Sequence, residues 1–371
     1  MPLPQIPPPP VKHMSAQQQK EHYWQHRGVI AHFLWPLSLI FCLISTIRRY
    51  WLTHICSPWQ APVPVVVVGN LTAGGAGKTP TTIALIQHLQ KLGHKPGVVS
   101  RGYGRKNPSA CLEVSLHSSP EQVGDEPLLI QSTTEAPVFV AAERKKAVQA
   151  LLSRHPDITI ILCDDGLQHY ALARQIEIAV FDERGAGNNW LIPAGPLREP
   201  LHRARDVDLI LFNTDCPPAL PVQLPGYTVK RRLGGYLPLQ TWAQTPAPQR
   251  CWKPMHELVQ QQQNHSTTIS AAAGIGHPQR FFNMLVQEHI TLEEVLPLAD
   301  HFDFADSPFD TIHSDMVLIT EKDATKCLQL RHTQHLFVVT LDYVPETAFF
   351  EHFDNLLKAA CTKHENKTAA N

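Results

Sequence analysis

The sequence predicts an α/β protein built on a doubly wound, mostly parallel sheet, with a second, smaller α/β domain and an apolar N-terminal helix. Three observations lead to this fold class. Four consecutive valines at residues 65–68 are followed by a glycine-rich turn and a stretch with helical periodicity. Further apolar runs of strand length then alternate with helical patterns, as βαβ units require. Before the valines, residues 29–44 are apolar nearly throughout.

Length and composition indicate a globular protein with more than one domain. The chain has 371 residues, of which 43% are hydrophobic and 18% are charged, so it can bury a large core. Its net charge of −1 gives no general attraction for nucleic acid, and we expect no nucleic-acid partner. The eight cysteines include no C-x-x-C pair, which argues against a zinc site and fits a reducing cytosol.

The N-terminal region combines a start rich in Pro, Gln and His with one apolar stretch. Residues 1–27 have the composition of a disordered extension. Arginines flank the apolar stretch, Arg27 before it and Arg48 and Arg49 after it, and this arrangement suits anionic headgroups. Three interpretations of residues 28–60 remain, namely a membrane-inserted or interfacial helix, a dimer-forming helix and a buried core helix.

The valine run and the turn after it predict a strand and a phosphate-binding loop. The loop residues would be Thr72, Ala73, Gly74, Gly75, Ala76, Gly77, Lys78 and Thr79. Glycines let backbone N–H groups turn inward around an anion, and the N-terminus of the next helix adds partial positive charge. Lys78 would reach the β- and γ-phosphates of ATP, and the Thr79 hydroxyl would bind Mg²⁺. Because Thr72 replaces the first glycine of G-x-x-x-x-G-K-[ST], a glycine-rich turn without a ligand is the alternative.

The order of the patterns predicts a P-loop NTPase-like main domain over residues 61–214. Its predicted strands cover residues 65–68, 97–100, 137–141, 158–163, 176–181 and 207–212, and its predicted helices cover 79–92, 125–132, 143–154 and 202–205. Residues 215–265 are rich in Pro and Gln and predict a connector, with one strand-like stretch near 226–232. Residues 266–371 predict the smaller α/β domain, with strands at 267–272, 316–319 and 336–341 and helices at 278–288 and 346–360.

Ligands of such sheets bind beyond the carboxyl ends of the strands, so polar residues there are candidate site residues. Asp164 and Asp165 follow an apolar strand, as in the Walker B arrangement that places a carboxylate near Mg²⁺; a capped turn is the alternative. Arg101 and Tyr103 follow the second strand and suit a phosphate or a sugar, unless they belong to an ordinary basic loop. Asp125 is either a first-turn helix charge or a general base.

Two further candidate regions follow. The loop at 189–200 is rich in Pro and Gly and carries Arg198 and Glu199, so it is either a rigid frame for a catalytic cation and carboxylate or a surface turn. His301 lies next to Asp300, and a carboxylate can orient an imidazole for catalysis, although a lone histidine is more often structural.

Seven motifs occur in the order typical of tetraacyldisaccharide 4′-kinases, the lipid A 4′-kinases of Gram-negative bacteria. They cover residues 69–80, 100–104, 123–127, 164–169, 193–199, 273–276 and 320–324. Over about residues 28–330 the chain therefore resembles this family. The resemblance implies ATP-dependent phosphorylation of the 4′-hydroxyl of tetraacyldisaccharide 1-phosphate, giving lipid IV-A. It also implies a location on the cytoplasmic face of the bacterial inner membrane.

The resemblance further implies a role for each candidate residue. Asp125 would take the proton of the 4′-hydroxyl, assisted by a histidine, and we favour His301 over His277 for that part. Lys78 and Arg198 would stabilise charge on the transferring phosphoryl group. The Mg²⁺ site would comprise Thr79, Asp164, Asp165 and Glu199. The contacts to the glycolipid substrate in the membrane would come from Arg101, Tyr103, Gln168 and His169.

Two rival functions stay open on the residues alone. The first is a membrane-associated P-loop ATPase or GTPase that acts as a switch, because residues 213–215 faintly resemble the guanine-reading N-K-x-D motif, although the lysine is absent. The second is a non-catalytic membrane scaffold, which would have no need of carboxylates at the strand ends.

Overall fold

The computed structural model describes residues 23–369 apart from residues 116, 266 and 305, so the extension predicted over 1–27 lies largely outside the described residues. The strands are β1 (Val65–Gly69), β2 (Pro96–Ser100), β3 (Leu112–Glu113), β4 (Val138–Val140), β5 (Ile160–Asp164), β6 (Ile176–Phe181), β7 (Leu209–Phe212), β8 (Tyr227–Pro238), β9 (Ile269–Ala273), β10 (Val295–Pro297), β11 (Met316–Thr320) and β12 (Leu336–Pro345). The α-helices of four or more residues are α1 (Val29–Tyr50), α2 (Lys78–Lys91), α3 (Pro120–Val123), α4 (Asp125–Thr134), α5 (Arg144–Arg154), α6 (Leu239–Gln244), α7 (Met255–His265), α8 (Pro278–Gln287), α9 (Glu321–Cys327) and α10 (Thr347–Ala369). Single helical turns cover residues 23–25, Trp51–Ile55, Leu201–Arg205 and Ala247–Gln249.

The strands form one sheet in the order β10-β9-β11-β12-β8-β7-β6-β1-β5-β2-β4-β3. β1 lies between β5 and β6 and pairs with both in parallel. Its valines are buried on alternating faces, since Val66 and Val68 belong to one hydrophobic cluster and Val65 and Val67 to another. A run of β-branched residues fits a strand that is covered on both faces. The predicted doubly wound, mostly parallel α/β fold is thereby confirmed.

A two-stranded ribbon joins the two halves of the sheet. β8 pairs in parallel with β7 at its start and antiparallel with β12 along most of its length. The strand-like stretch expected near 226–232 thus continues to Pro238, inside the segment that we predicted to be a connector. Below, the first lobe denotes residues 61–226 together with α10, and the second lobe denotes residues 239–335.

The C-terminal helix α10 returns to the first lobe. Its residues Phe349 and Phe353 are fully buried in the same hydrophobic cluster as Val66 and Val68. The imidazole Nε2 of His88, on α2, lies 2.8 Å from the Asp354 carboxylate. The last helix that we predicted in the smaller domain therefore packs into the core of the main one.

The N-terminal helix is largely exposed. Within α1 the buried residues are Ala31 and Ser38, whereas large apolar side chains such as Phe33 (84% exposed) and Leu43 (62%) face outward. Among the described residues, the stretch Val29–Ile55 is the one helix long and apolar enough to cross a membrane, and its most apolar 18-residue window has a mean hydropathy of 2.0. This exposure disfavours a buried core helix and leaves membrane association and dimer formation as the interpretations of the apolar surface.

Candidate active site

The predicted phosphate-binding loop lies between β1 and α2, and two asparagine side chains hold its backbone. Gly74 and Gly77 have φ angles of 102° and 94°, in the left-handed region that favours glycine. The Asn70 amide donates a hydrogen bond to the Gly74 carbonyl (3.1 Å). The Asn213 amide, from the residue after β7, donates one to the Ala76 carbonyl (3.0 Å). A Cβ on Gly77 would lie only 2.1 Å from the Asn213 amide nitrogen, so this position requires glycine.

Two of the predicted catalytic cations converge on one carboxylate beside this loop. Lys78 begins α2, and its Nζ lies 3.7 Å from Oδ1 of Asp165. Nη1 of Arg198 donates to the same oxygen at 3.1 Å. Burial acts to raise the pKa of Asp165, but the charges of Lys78 and Arg198 lower it below its ordinary value. The structure therefore brings together Lys78, Asp165 and Arg198, which the sequence analysis had each assigned to the site.

Asp164 is a buried carboxylate with a hydrogen-bond partner on one of its two oxygens. It is fully buried at the end of β5, and its Oδ1 accepts a hydrogen bond from the Thr82 hydroxyl (3.0 Å). Its Oδ2 has no hydrogen-bond partner among the described residues. Burial, together with the negative charges of Glu126 and Asp165, raises the pKa of Asp164 to about 7. Thr79 lies one turn before Thr82 on the same helix face, so a divalent cation between Thr79 and Asp164 fits this donor set.

Glu199 has a different environment. Its Oε1 accepts a hydrogen bond from the Tyr170 hydroxyl (2.6 Å), and its Oε2 lies 3.9 Å from Nε of Arg203. Over the part of the chain that the structure describes, no three or more His, Cys, Asp or Glu side chains are grouped to hold a metal ion. Glu199 is therefore not gathered with Asp164 and Asp165, and its part in a magnesium site stays a prediction.

Arg144 belongs to the site although the sequence analysis assigned it no role. It begins α5, is 3% exposed, and its Nη2 donates to the backbone carbonyls of Asp164 and Asp165 (both 3.4 Å). The guanidinium thus holds the backbone of the two strand-end aspartates. An arginine at the start of an ordinary helix gives no sequence signal for this contact.

Asp125 begins α4 in the first lobe, and side chains of the second lobe surround its carboxylate. Oδ2 of this carboxylate lies 2.9 Å from Nδ1 of His301, and Nζ atoms of Lys322 and Lys326 approach to 3.6 Å and 3.4 Å. Burial acts to raise the pKa of Asp125, but the hydrogen bond from His301 and the charge of Lys322 hold it well below its ordinary value. The carboxylate is consequently ionised at neutral pH even though it is 5% exposed.

His301 is thus the histidine in contact with Asp125, and His277 precedes α8 on the wall of the cleft. The hydrogen bond with Asp125 raises the pKa of His301 above its ordinary value, against the opposing effect of burial. The ring of Tyr103 lies 5.7 Å from the imidazole, centroid to centroid. The two lysines beside Asp125 lie in α9, in or just after a motif that the sequence analysis quoted without giving them a role.

A cleft of about 710 Å³ separates the lobes. Its walls include Gly75, Lys78 and Thr79 from the first lobe and Gly276 and Lys322 from the second. This volume lies in the range of pockets that hold a nucleotide-sized ligand.

The four residues predicted to contact substrate lie at the ends of β2 and β5. Arg101 and Tyr103 are exposed, and Tyr103 is 70% accessible. The Gln168 amide donates to the Asn70 carbonyl (3.1 Å), at the start of the phosphate-binding loop. Burial and the charge of Arg144 lower the pKa of His169 to about 4, so this imidazole is neutral at physiological pH. Substrate binding by these residues stays a prediction.

Comparison with known protein families gives a consistent result. The family model described as tetraacyldisaccharide-1-P 4′-kinase matches residues 30–359. A tetraacyldisaccharide 4′-kinase from Janthinobacterium sp. (strain Marseille) is 45% identical over 326 residues, which cover 85% of this chain and 89% of the relative. The enzyme of the same name from Polaromonas naphthalenivorans (strain CJ2) is 43% identical over 339 residues, with coverage of 90% and 93%.

A solved structure is similar over nearly the same span. It is the "apo" form of LpxK from Aquifex aeolicus in complex with ATP, and it superposes with a TM-score of 0.74 at 26% sequence identity. The match covers 90% of this chain and 100% of that one.

Proposed function

The chain belongs to the tetraacyldisaccharide-1-P 4′-kinase family, and from that membership we propose how the two sides of its cleft divide the reaction. The protein is an ATP-dependent kinase of lipid A biosynthesis that phosphorylates the 4′-hydroxyl of tetraacyldisaccharide 1-phosphate to give lipid IV-A. The observation that carries the division of roles is that Lys78 lines the cleft from the first lobe, while Lys322, whose Nζ lies 3.6 Å from the Asp125 carboxylate, lines it from the second.

The phosphate-binding loop and its neighbours form the ATP side. Backbone N–H groups of residues 74–79 would surround the phosphates, and Lys78 and Arg198 would offset the charge on the transferring group. Thr79, Asp164 and Asp165 would hold Mg²⁺, which fits the unpaired and buried Oδ2 of Asp164. When bound, the ion supplies positive charge next to the β- and γ-phosphate oxygens.

Asp125 forms the acceptor side. Phosphoryl transfer passes through a loose transition state, so the proton of the attacking hydroxyl leaves late and a weakly basic carboxylate suffices to accept it. Lys322 and Lys326 keep Asp125 ionised, and His301 fixes the orientation of its Oδ2. The carboxylate thereby directs the 4′-hydroxyl oxygen at the γ-phosphorus without carrying a proton of its own.

The exposed surface of α1 meets the membrane that contains the glycolipid substrate, on the cytoplasmic face of the inner membrane. Large apolar side chains cover this helix, and Arg48 and Arg49 lie in its last turn, where they suit anionic headgroups. Arg48 also donates to the Gln168 carbonyl (3.2 Å), so the basic end of the helix lies beside a residue assigned to substrate binding.

The decisive experiment follows the label from γ-labelled ATP. Purified protein is incubated with tetraacyldisaccharide 1-phosphate, the lipid is extracted, and the label is counted in the lipid and in free phosphate. We expect the label in the lipid for the wild type and for Asp306→Asn, an exposed control in the second lobe, and its loss in Asp125→Asn. Label that appears only as free phosphate would instead support the ATPase-switch interpretation, which Asn213 already disfavours because its amide is bonded to the phosphate-binding loop.

A further inference from the structure

Ser38 is the one polar side chain that α1 buries against the body of the protein. It is 3% exposed in a helix whose surface is otherwise mostly open. Its hydroxyl donates to the Leu191 carbonyl (2.8 Å) and accepts from the Ala194 N–H (3.0 Å). Serines in helices commonly bond a carbonyl of their own helix, so a hydroxyl that satisfies two backbone groups of a distant loop has a specific task.

The loop that Ser38 holds, residues 188–198, is paired with the phosphate-binding loop. The Pro196 carbonyl accepts from the Ala73 N–H (2.7 Å), and the Arg198 N–H donates to the Leu71 carbonyl (2.7 Å). Between these bonds, Leu197 forms an antiparallel bridge with Thr72. Three consecutive residues of one loop are thus aligned with three of the other.

The same loop carries Arg198 into the site, where its guanidinium reaches Asp165 at 3.1 Å. Neighbouring residues reinforce the attachment to the N-terminal segment. The Trp24 indole N–H donates to the Pro193 carbonyl (3.0 Å), and Arg27 donates to the Asn188 carbonyl (3.1 Å). The N-terminal segment is therefore a structural part of the ATP side as well as a membrane contact.

We propose that Ser38 is a positioning residue for phosphoryl transfer, which acts through the 188–198 loop to set the start of the phosphate-binding loop and the guanidinium of Arg198. The proposal rests on the roles given above to Lys78 and Arg198. It predicts that the nucleotide site loses affinity when the hydroxyl is removed, although Ser38 touches neither ATP nor lipid. The Ser38 hydroxyl then couples the apolar helix to the nucleotide site.

The test compares Ser38→Ala with Ser45→Ala. Ser45 lies in the same helix, but its hydroxyl donates to the Cys42 carbonyl of its own helix (3.0 Å), so this variant is the matched control. We expect Ser38→Ala to weaken Mg-ATP binding and to lower kcat by about tenfold each, because a buried N–H and carbonyl lose their partner. The KM for lipid and the binding to anionic phospholipid vesicles should match those of Ser45→Ala. Ser38→Thr, which keeps the hydroxyl, should restore most of the loss.

Nucleotide binding is measured without lipid, so the proposal is tested even if no lipid is phosphorylated. Equal Mg-ATP affinity and kcat in Ser38→Ala and Ser45→Ala would overturn it. So would a Ser38→Ala protein that loses vesicle binding in the same proportion as ATP binding, because the residue would then serve the anchor alone. Failure of the wild type to label lipid, with the difference in Mg-ATP affinity intact, would count against the proposed function and leave the role of Ser38 standing.

Discussion

The two sides of the cleft are built in different ways. The ATP side comes from one lobe. Its loop, strand end and helix start are fixed by backbone geometry and by hydrogen bonds between residues close in sequence, such as that from Asn70 to Gly74. The acceptor side is assembled from both lobes, since Asp125 and His301 are 176 residues apart in sequence. The first side is therefore preorganised by local structure, whereas the second depends on how the lobes are placed.

The carboxylates of the two sides also differ in how the protein balances their charge. Three cationic or hydrogen-bonding side chains of the second lobe surround Asp125, and its pKa lies well below the ordinary value. Asp164 keeps one unpaired oxygen, and burial raises its pKa to about 7. The acceptor side thus carries its own positive charge, while the ATP side has a carboxylate whose energetics call for an added cation.

We expect the largest effect from a substitution on the ATP side. Lys78→Ala removes the cation that faces the phosphates, and we expect kcat/KM for ATP to fall by about 10³-fold because transition-state stabilisation is lost. Steady-state kinetics with varied ATP measure this. Lys95→Ala, which removes an exposed lysine of the first lobe paired with Asp157, is the matched control. Near-normal turnover in Lys78→Ala would refute the assignment of the loop.

Asp125→Asn removes the proton acceptor of the acceptor side, and it should lower kcat without weakening the binding of Mg-ATP. We expect kcat to fall by about 10²-fold because the proton acceptor is lost, while the affinity for Mg-ATP stays within about twofold. Turnover at saturating ATP and nucleotide binding at equilibrium separate the two quantities. A parallel loss of ATP affinity would mean that the two sides are not independent.

Sequence reasoning was most successful where the structure is local. The strand at 65–68, the loop after it and the strand that ends in Asp164 were predicted from patterns within about ten residues, because glycine conformation and β-branched packing act at that range. The position of Asp165 beside the phosphate-binding loop also followed from a rule, since parallel strands bring their carboxyl ends to one edge of the sheet, whereas the contact of Arg198 with Asp165 was not predicted.

Contacts across the lobes were beyond that reasoning. Lys322 and Lys326 are ordinary helix residues by pattern, and only the folding of the second lobe brings their charges to Asp125. Arg144 gives no signal because its partners are backbone carbonyls. The family resemblance placed Glu199 with the metal; its carboxylate accepts a hydrogen bond from Tyr170, and its part in a magnesium site stays a prediction.

The pH dependence of activity should report on the acceptor side through His301. The pKa of His301 is raised, so its protonated form persists above pH 6.5, where it withdraws basicity from Asp125. Activity should rise as the pH increases through the pKa of His301. The titration of Asp125 should cause no change of activity near neutral pH, because the pKa of this carboxyl is depressed. We expect His301→Gln to lower kcat about tenfold and to flatten the rising limb.

Repeating the pH profile at several magnesium concentrations distinguishes the titration of His301 from that of Asp164. The raised pKa of Asp164 also lies near neutrality, but a bound cation favours the ionised form of that carboxylate. A limb that belongs to His301 should keep its midpoint when magnesium is increased, whereas a limb that belongs to Asp164 should move to lower pH. A limb that survives His301→Gln unchanged would exclude the histidine as its source.

The smallest expected effect lies where the two sides are joined. The Tyr343 hydroxyl, on β12 of the ribbon, bonds the Thr81 hydroxyl on α2 (2.7 Å), and Thr81 also donates to the Gly77 carbonyl (2.8 Å). Tyr343→Phe removes one hydrogen bond and leaves the second in place, so we expect the free energy of unfolding to fall by about 1 kcal/mol and kcat to change less than about twofold. Denaturant unfolding and turnover of the same preparation measure both. A tenfold loss of kcat with unchanged stability would mean instead that the ribbon sets the geometry of the phosphate-binding loop, and the ATP side would then depend on an element outside its own lobe, as the acceptor side does.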